Sequence, residues 1–325
     1  MTSSSSSSSG RICRRTSTRS PYFPSKSRTS SSKDAKGRRK SLLPTSCLPF
    51  PSIFAPTFGL IQERLAHDPF RLLIATIFLN RTRGEAAIPV LYSVFERYPT
   101  VEALATANVD ELTDMIRRLG FQNARANKCV ALARAWLEQP PCKGRRWRKL
   151  HYPERGDGVD IRAGECVGDS TPEGERDTRV AWEVAHLPGL GAYAIDSWRI
   201  FCRDVLRGLA ADYNGRGRTA EGDSGGGESD GSANDESSSH GVDPAMAGTA
   251  AAPFEPEWKR VRPKDKELRA FLTWMWLKEG WVWNPETGER RPMNNRMRRA
   301  AKKGGILVPG RGGSWILEKM VSPCT

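Results

Sequence analysis

The sequence predicts an all-α fold. Apolar residues recur at helical spacing through most of the chain from Phe58 onward, helix-capping residues punctuate these runs, and many of the connecting loops are short. The 325 residues carry a net charge of +14 and a pI near 9.7, and they are enough for one or two domains. A balance this basic favours a polyanionic partner, of which nucleic acid is the commonest.

The cysteines and the apolar runs exclude several classes of protein. The seven cysteines are scattered, with no C-x-x-C pair and no Cys/His cluster at zinc spacing, which predicts reduced thiols and no metal site. Cys129 and Cys202 lie in apolar helical runs and are expected in the core. No run of about 18 apolar residues occurs. We therefore expect no transmembrane helix and no membrane partner.

Residues 1–50 are predicted to form a disordered, basic, Ser-rich tail. The first 45 residues hold eleven Lys or Arg against the single Asp34, too few apolar residues to build a core. The run Lys36–Lys40 fits a nuclear import signal, a sequence-independent DNA contact or a solvated charge run. Because an acid-poor start rich in Arg and Ser also fits a mitochondrial transit peptide, the nucleus is favoured with the mitochondrion as the alternative.

The first helices are predicted from their caps. Asp68 and Pro69 mark the start of a helix that is apolar nearly all round and ends at the polar tip 80–82, so we expect it at the centre of the fold. Asn108 caps a later helix, with Glu111 at capping-box spacing. The other helices in this region are expected over 84–97, 101–106 and from Asn123 to about 137.

The second half of the chain alternates helices with segments that lack periodicity. We expect a surface insertion over 143–178, a brief helix over 179–185, and a flexible linker over 208–253 that holds eight acidic residues and two arginines. A last helix should follow Asp265, and a basic tail is expected over 285–325, in which the apolar run 315–317 could dock. The globular domain is predicted over 55–284.

The stretch Leu187–Tyr193, Leu-Pro-Gly-Leu-Gly-Ala-Tyr, predicts a tight turn before a helix. Gly189 and Gly191 permit positive φ and close approach of the backbone, so the amides at the start of the next helix can bind an anion such as a DNA phosphate. The plainer interpretation is a Schellman-like turn between two helices. The basic, helical context favours the first interpretation.

This stretch resembles the hairpin of the helix-hairpin-helix DNA glycosylases. Further runs resemble the methyl-CpG-binding-domain mismatch thymine DNA glycosylases of that superfamily: Phe58–Glu63, His67–Phe70, Leu72–Thr82, Ala87–Leu91, Asp196–Cys202 and Glu257–Lys259. No segment resembles the methyl-CpG-binding domain itself. The resemblance implies a glycosylase fold of two helical lobes with a cleft between them. Many relatives hold an iron–sulfur cluster on four closely spaced cysteines after the last helix, but here only Cys324 follows it, so we expect no cluster and no other cofactor.

The resemblance also implies an activity and its partners. The protein is expected to excise thymine or uracil mispaired with guanine in double-stranded DNA, as a monomer, and to pass the abasic site to downstream base excision repair enzymes. The target nucleotide must leave the stack before its base can be cut from the sugar. By resemblance, Arg81 fills the gap and Phe121 stands where the family has a leucine beside the orphaned guanine. The plainer roles are a cation at a helix C-terminus for Arg81 and core packing for Phe121.

The resemblance places Gln62 and Tyr193 in the base pocket, and Asp265 and Tyr193 among the catalytic residues. Two aspartates, Asp196 and Asp265, compete as the essential carboxylate. If the linker is left out, Asp265 follows the hairpin by about twenty residues, which is the distance found in the family. The preceding residues Val261–Lys264 also resemble the family's motif, so Asp265 is favoured. Tyr193 stands where bifunctional relatives have a lysine nucleophile, which implies an enzyme that forms no Schiff base. A DNA-binding protein without catalysis and a bifunctional lyase remain the alternatives.

Overall fold

The computed structural model describes residues 48–170, 177–217 and 254–304, together with the backbone of 306–309 and 315–318. The predicted basic tail before residue 48, which includes Lys36–Lys40, lies outside the described residues, as do Cys324 and most of the predicted acidic linker. Among the described residues, no helix combines the length and the apolar character that crossing a lipid bilayer requires.

Helix α2, Pro69–Leu79, lies at the centre of the fold, as predicted. The Asp68 carboxylate accepts a hydrogen bond from the Arg71 amide at the start of the helix, and eight of its eleven residues are buried. It packs against α1, Ile61–Leu65; α3, Gly84–Arg97; α6, Gln122–Glu138; and α7, Ala192–Phe201. This packing fixes the position of the polar turn that follows Leu79.

The helices between α3 and α6 begin where the capping residues predict. Thr100 caps α4, Val101–Ala105, and Asn108 caps α5, Val109–Met115, each through a side-chain oxygen that accepts backbone amides. The Glu111 carboxylate forms an ion pair with Arg97 of α3 at 2.7 Å, so this acid ties two helices together. A 3-10 turn over Arg117–Leu119 then leads to α6.

The described part of the segment predicted as a surface insertion over 143–178 contributes buried side chains, and the helix predicted over 179–185 does not form. Trp147 and Trp182 instead pair through backbone hydrogen bonds in an isolated β-bridge. Both indoles and the Tyr152 ring are buried. The helix prediction was wrong, and the burial of these rings was not foreseen, because the few apolar residues follow neither helical nor strand periodicity and leave no repeating signal in the sequence.

The first residues of the predicted linker, 208–217, are folded. Helix α8, Arg203–Leu206, is followed by a turn that folds back onto the core, where the Tyr213 ring contacts the rings of Phe201 and Phe271 at centroid distances of 5.1 and 6.3 Å. Only residues 218–253 of the predicted linker lie outside the described residues.

The first part of the predicted loose tail is folded. Met297 and Ala301 of α10, which follow the domain end predicted at residue 284, are buried against the core. Two antiparallel strand pairs were not predicted, because strands of three or four residues are too short to show alternation. The elements of this region are α9, Lys266–Lys278; β1, Trp281–Trp283; β2, Arg290–Pro292; α10, Asn295–Lys302; β3, Ile306–Pro309; and β4, Trp315–Glu318.

Candidate functional site

The turn at Leu187–Tyr193 presents the start of α7 to solvent. Gly189 has φ +80°, and a Cβ there would lie 3.1 Å from the Lys128 side chain, so this position needs glycine. Gly191 has φ −105° and would tolerate a Cβ, so only one of the two glycines uses the conformational freedom that the sequence suggested. The Gly191 carbonyl accepts the amides of Ala194 and Ile195, so the preceding amides have no acceptor within the helix and can bind an anion.

A cavity of about 540 Å³ brings together residues that are distant in the sequence. Gln62, Tyr193 and Asp265 line it, with Arg81 at its border and an apolar wall that includes Leu60. The Gln62 Nε2 group donates a hydrogen bond to the Tyr193 hydroxyl at 2.7 Å. The Gln62 side chain is buried, and its Oε1 atom has no partner within the described part of the chain, so it can accept a hydrogen bond from a ligand.

Asp265 is the N-cap of α9, and its side chain is held toward this cavity. Its Oδ1 atom accepts the amides of Glu267 and Leu268 at 2.9 and 3.0 Å. Burial raises the pKa of the Asp265 carboxyl above its ordinary value, while the two amide hydrogen bonds act in the opposite direction. Both amides bind Oδ1, and within the described residues no hydrogen bond reaches Oδ2, which can therefore accept one from a ligand or a water.

Tyr193 connects the cavity to the start of α7. Burial and the nearby charge of Asp265 raise the pKa of its phenol, whereas the hydrogen bond from Gln62 lowers it. The phenol therefore stays protonated at neutral pH and can donate a hydrogen bond.

A second cavity of about 310 Å³ shares Arg81 and Tyr193 with the first. Gly189, Gly191 and Phe121 also line it. Arg81 and Phe121 have φ values of 59° and 50°, in the left-handed region that is strained for residues other than glycine. Phe121 is 68% exposed, which excludes its plainer role in the core. All the predicted site residues therefore line one or both of these adjoining cavities.

The competing carboxylate, Asp196, lies inside the protein and lines neither cavity. It is buried in α7, and its Oδ1 atom accepts a hydrogen bond from the Tyr152 hydroxyl at 2.6 Å. Burial raises its pKa to about 6, although Tyr152 and Arg199 oppose the shift. These contacts give Asp196 a role inside the protein and separate it from the space where a ligand can enter.

A buried ion-pair cluster, which the sequence did not suggest, docks the chain before Asp265 onto α7. Glu257 bridges Arg199 at 2.7 Å and Arg203 at 2.9 Å, and both guanidinium groups lie over the Trp182 ring. The sequence signal was weak: Arg199 and Arg203 stand in an apolar, helix-prone run, but Glu257 lies in a charged stretch without such a pattern. The cluster explains how Asp265 reaches the cavity although most of the predicted linker precedes it.

Comparison with known proteins identifies a protein family and several relatives. The family model for "HhH-GPD superfamily base excision DNA repair protein" matches residues 74–238, which include the hairpin and end before Asp265. The chain is 36% identical over 67 residues to a thymine-DNA glycosylase of Aeropyrum pernix, covering 21% of this chain and 30% of the relative. It is 31% identical over 83 residues to a thymine/uracil-DNA glycosylase of Pyrobaculum aerophilum, covering 24% and 36%.

A third relative comes from a plant. The methyl-CpG-binding domain protein 4-like protein of Arabidopsis thaliana is 23% identical over 145 residues, which cover 44% of this chain and 23% of the relative. The chain thus matches between 23% and 36% of the length of these three curated relatives. Since the family model covers 165 of the 325 residues, the chain belongs to the HhH-GPD superfamily of base excision DNA repair proteins.

Proposed function

We propose that the protein is a monofunctional DNA glycosylase that removes thymine or uracil mispaired with guanine. The observation that carries this proposal is the meeting of Gln62, Tyr193 and Asp265 in one cavity beside the hairpin. The names of two relatives, a thymine-DNA glycosylase and a thymine/uracil-DNA glycosylase, support the choice of base. The alternative is a hairpin protein that binds DNA without catalysis.

Access to the base requires that the nucleotide be flipped out of the duplex. Flipping costs a few kcal/mol, and least for a mismatched pair. Arg81 and Phe121 are exposed at the edge of the smaller cavity, next to the hairpin turn at Gly189. We propose that the two side chains enter the duplex and fill the vacated space while the amides of the hairpin bind a phosphate.

The larger cavity suits the hydrogen-bonding edge of thymine or uracil. The free Oε1 atom of Gln62 can accept the N3–H of either base, and the Tyr193 hydroxyl can donate to a neighbouring carbonyl. Cytosine, which has no N3–H, would leave the buried Oε1 atom without a partner, and this favours uracil over cytosine.

Cleavage of the N-glycosidic bond builds positive charge on the sugar. A carboxylate nearby stabilises that charge and can accept a proton from the attacking water. We assign this role to Asp265, because two amides orient its carboxylate and leave Oδ2 for the water. We propose that the base leaves as an anion and that the Tyr193 hydroxyl donates a hydrogen bond to it.

The enzyme is proposed to leave an abasic site and not to cut the strand. Tyr193 stands where bifunctional relatives have a lysine, although Lys266 also lines the larger cavity. Borohydride trapping on a mismatched duplex tests for a Schiff base, and we expect no adduct. A covalent adduct that disappears in Lys266→Met would instead identify a lyase.

Excision from a duplex with one G·T or G·U pair tests the main proposal. Wild type should release the base, and Asp265→Asn should lose about a thousandfold or more, because it removes the charge that the transition state requires. Asparagine can still cap α9, so the fold should persist. The matched control is Asp68→Asn, the same change at the N-cap of α2 outside both cavities, which should excise normally. Tight binding by wild type without release of base would favour the alternative.

Finer features follow from the same proposal. We propose that two helical lobes flank the cleft, that the protein acts as a monomer, and that downstream abasic-site enzymes receive the product. We also propose that no iron–sulfur cluster is required, since the sequence holds no set of four closely spaced cysteines. The basic run Lys36–Lys40 supports the nucleus, with the mitochondrion as the alternative.

A further inference from the structure

Arg125 of α6 connects the two turns that carry Arg81 and Phe121. Its guanidinium is buried, and Nη2 donates to the Asn80 carbonyl at 2.8 Å and to the Thr82 hydroxyl at 2.5 Å. Its Nη1 group donates to the Leu119 carbonyl at 3.0 Å. Within the described part of the chain these oxygens are its hydrogen-bond partners, and burial lowers its pKa from the ordinary value.

These contacts flank Arg81 and lie close to Phe121 in the sequence. Asn80 and Thr82 flank Arg81, and Leu119 lies two residues before Phe121. Left-handed backbone at residues other than glycine costs about 1 kcal/mol or more, and it persists only where surrounding contacts impose it. Because the Arg125 side chain contacts both turns, it can impose the left-handed backbone conformation on both.

We infer that Arg125 is a positioning residue that fixes the spacing and direction of Arg81 and Phe121 for entry into the duplex. The inference rests on the proposed function for the identity of the ligand, a DNA duplex with a vacated base position. A planar guanidinium can satisfy three oxygens at fixed angles, which an ammonium group cannot do. Without this side chain, the two turns would be free to move independently.

Binding to a duplex with a tetrahydrofuran abasic-site analogue opposite guanine tests this role without any chemistry. Wild type should bind this abasic duplex more tightly than the same duplex with a normal base pair at that position. Arg125→Met keeps the length of the side chain but removes its donors, and it should lose about tenfold or more of that preference. Arg125→Lys should retain only part of it. The salt dependence of binding should not change, because protein oxygens already accept from the guanidinium donors of Arg125.

The matched control is Arg134→Met on the same helix. Arg134 also donates to a backbone carbonyl, that of Ala105 at 2.9 Å, but it lines neither cavity. This variant should keep the full preference for the abasic duplex over the fully paired duplex. An equal loss in Arg134→Met would show a general effect on α6 and would overturn the inference.

If folded Arg125→Met kept the full preference for the abasic duplex, the inference about Arg125 would also be overturned. If that variant does not fold, Arg125→Lys decides, since full preference in the lysine variant contradicts a role that depends on three fixed bonds. The proposed function is tested separately. If wild type prefers the abasic duplex but releases no base, the proposed glycosylase activity is refuted and the role of Arg125 is not. A wild type without the preference refutes this role, while the excision assay still decides the activity.

Discussion

Phe121 combines a left-handed backbone with a side chain that is 68% exposed. Neither feature stabilises the fold, so Phe121→Asn should leave the free energy of unfolding unchanged or raise it by about 0.5 kcal/mol, because asparagine tolerates this conformation. Loss of the ring should slow single-turnover excision about tenfold, the scale of one base–aromatic stack. Thermal unfolding and excision from a G·T duplex measure the two effects. Leu137→Asn, an exposed apolar residue at the other end of α6, should leave excision unchanged.

Asp196 should make stability depend on pH. Its pKa of about 6 in the folded protein lies above the ordinary 3.8, so the folded state binds more protons in this range and stability falls as the pH rises from about 4 to 6. Asp196→Asn removes this titration and can still accept from Tyr152. Urea unfolding at pH 4 and pH 7 gives the free energy of unfolding of each protein. The difference between variant and wild type should shift in favour of the variant by up to about 3 kcal/mol from pH 4 to pH 7. The same comparison for Asp114→Asn, at an exposed position, should show little change. An equal change of the unfolding free energy with pH in both variants would contradict the assignment of this pH dependence to Asp196.

At the scale of elements, the docking of the chain before α9 depends on Glu257. Its carboxylate pairs with Arg199 and Arg203, all three side chains being at least nine-tenths buried. Glu257→Gln leaves the buried Arg199 without its charge partner, whereas Arg203 keeps its ion pair with the buried Glu183. The variant should lower the free energy of unfolding by about 3 kcal/mol. Glu255→Gln is the matched control, since its ion pair with Arg260 is exposed and should contribute less than about 1 kcal/mol. Similar losses in the two variants, measured by urea unfolding, would contradict the docking role.

The sequence allows the capped helices to be predicted but not the irregular elements. Asp68 and Asn108 mark helix starts because a cap is a local interaction between a side chain and nearby amides. The burial of Trp147 and Tyr152 depends on contacts with residues more than thirty positions away, which no local periodicity reports. The strand pair β1–β2 was missed for the same reason, as its strands have three residues each.

At the scale of the whole molecule, the candidate site is assembled from residues more than two hundred positions apart. Gln62, Tyr193 and Asp265 could be chosen from the sequence only by resemblance, because a single Gln, Tyr or Asp carries no pattern of its own. Arg125 was missed, since a buried arginine on a basic helix resembles its exposed neighbours. What the sequence could not provide is the set of long-range contacts, such as Glu257 with α7, that bring Asp265 to the cavity.

The distribution of charge leads to a last prediction. Residues 218–253 hold seven acidic residues and one arginine in a chain whose net charge is +14. Replacing the seven acids by Ser, Asn and Gln keeps the length of the segment and raises the net charge to +21. Removing this repulsion toward DNA should tighten binding to the product and slow multiple turnover at low salt, while single-turnover excision is unchanged.

The effect should disappear as salt rises, because screening acts over about 10 Å at 0.1 M and less above it. Turnover of wild type and variant is compared across a salt series. A second variant with the same acids in scrambled order should behave like wild type. The segment should be altered only after residue 217, because Tyr213 packs into the core and its removal would perturb the fold itself. Equal turnover and equal salt dependence in wild type and the neutral variant would show that these acids do not act on DNA release.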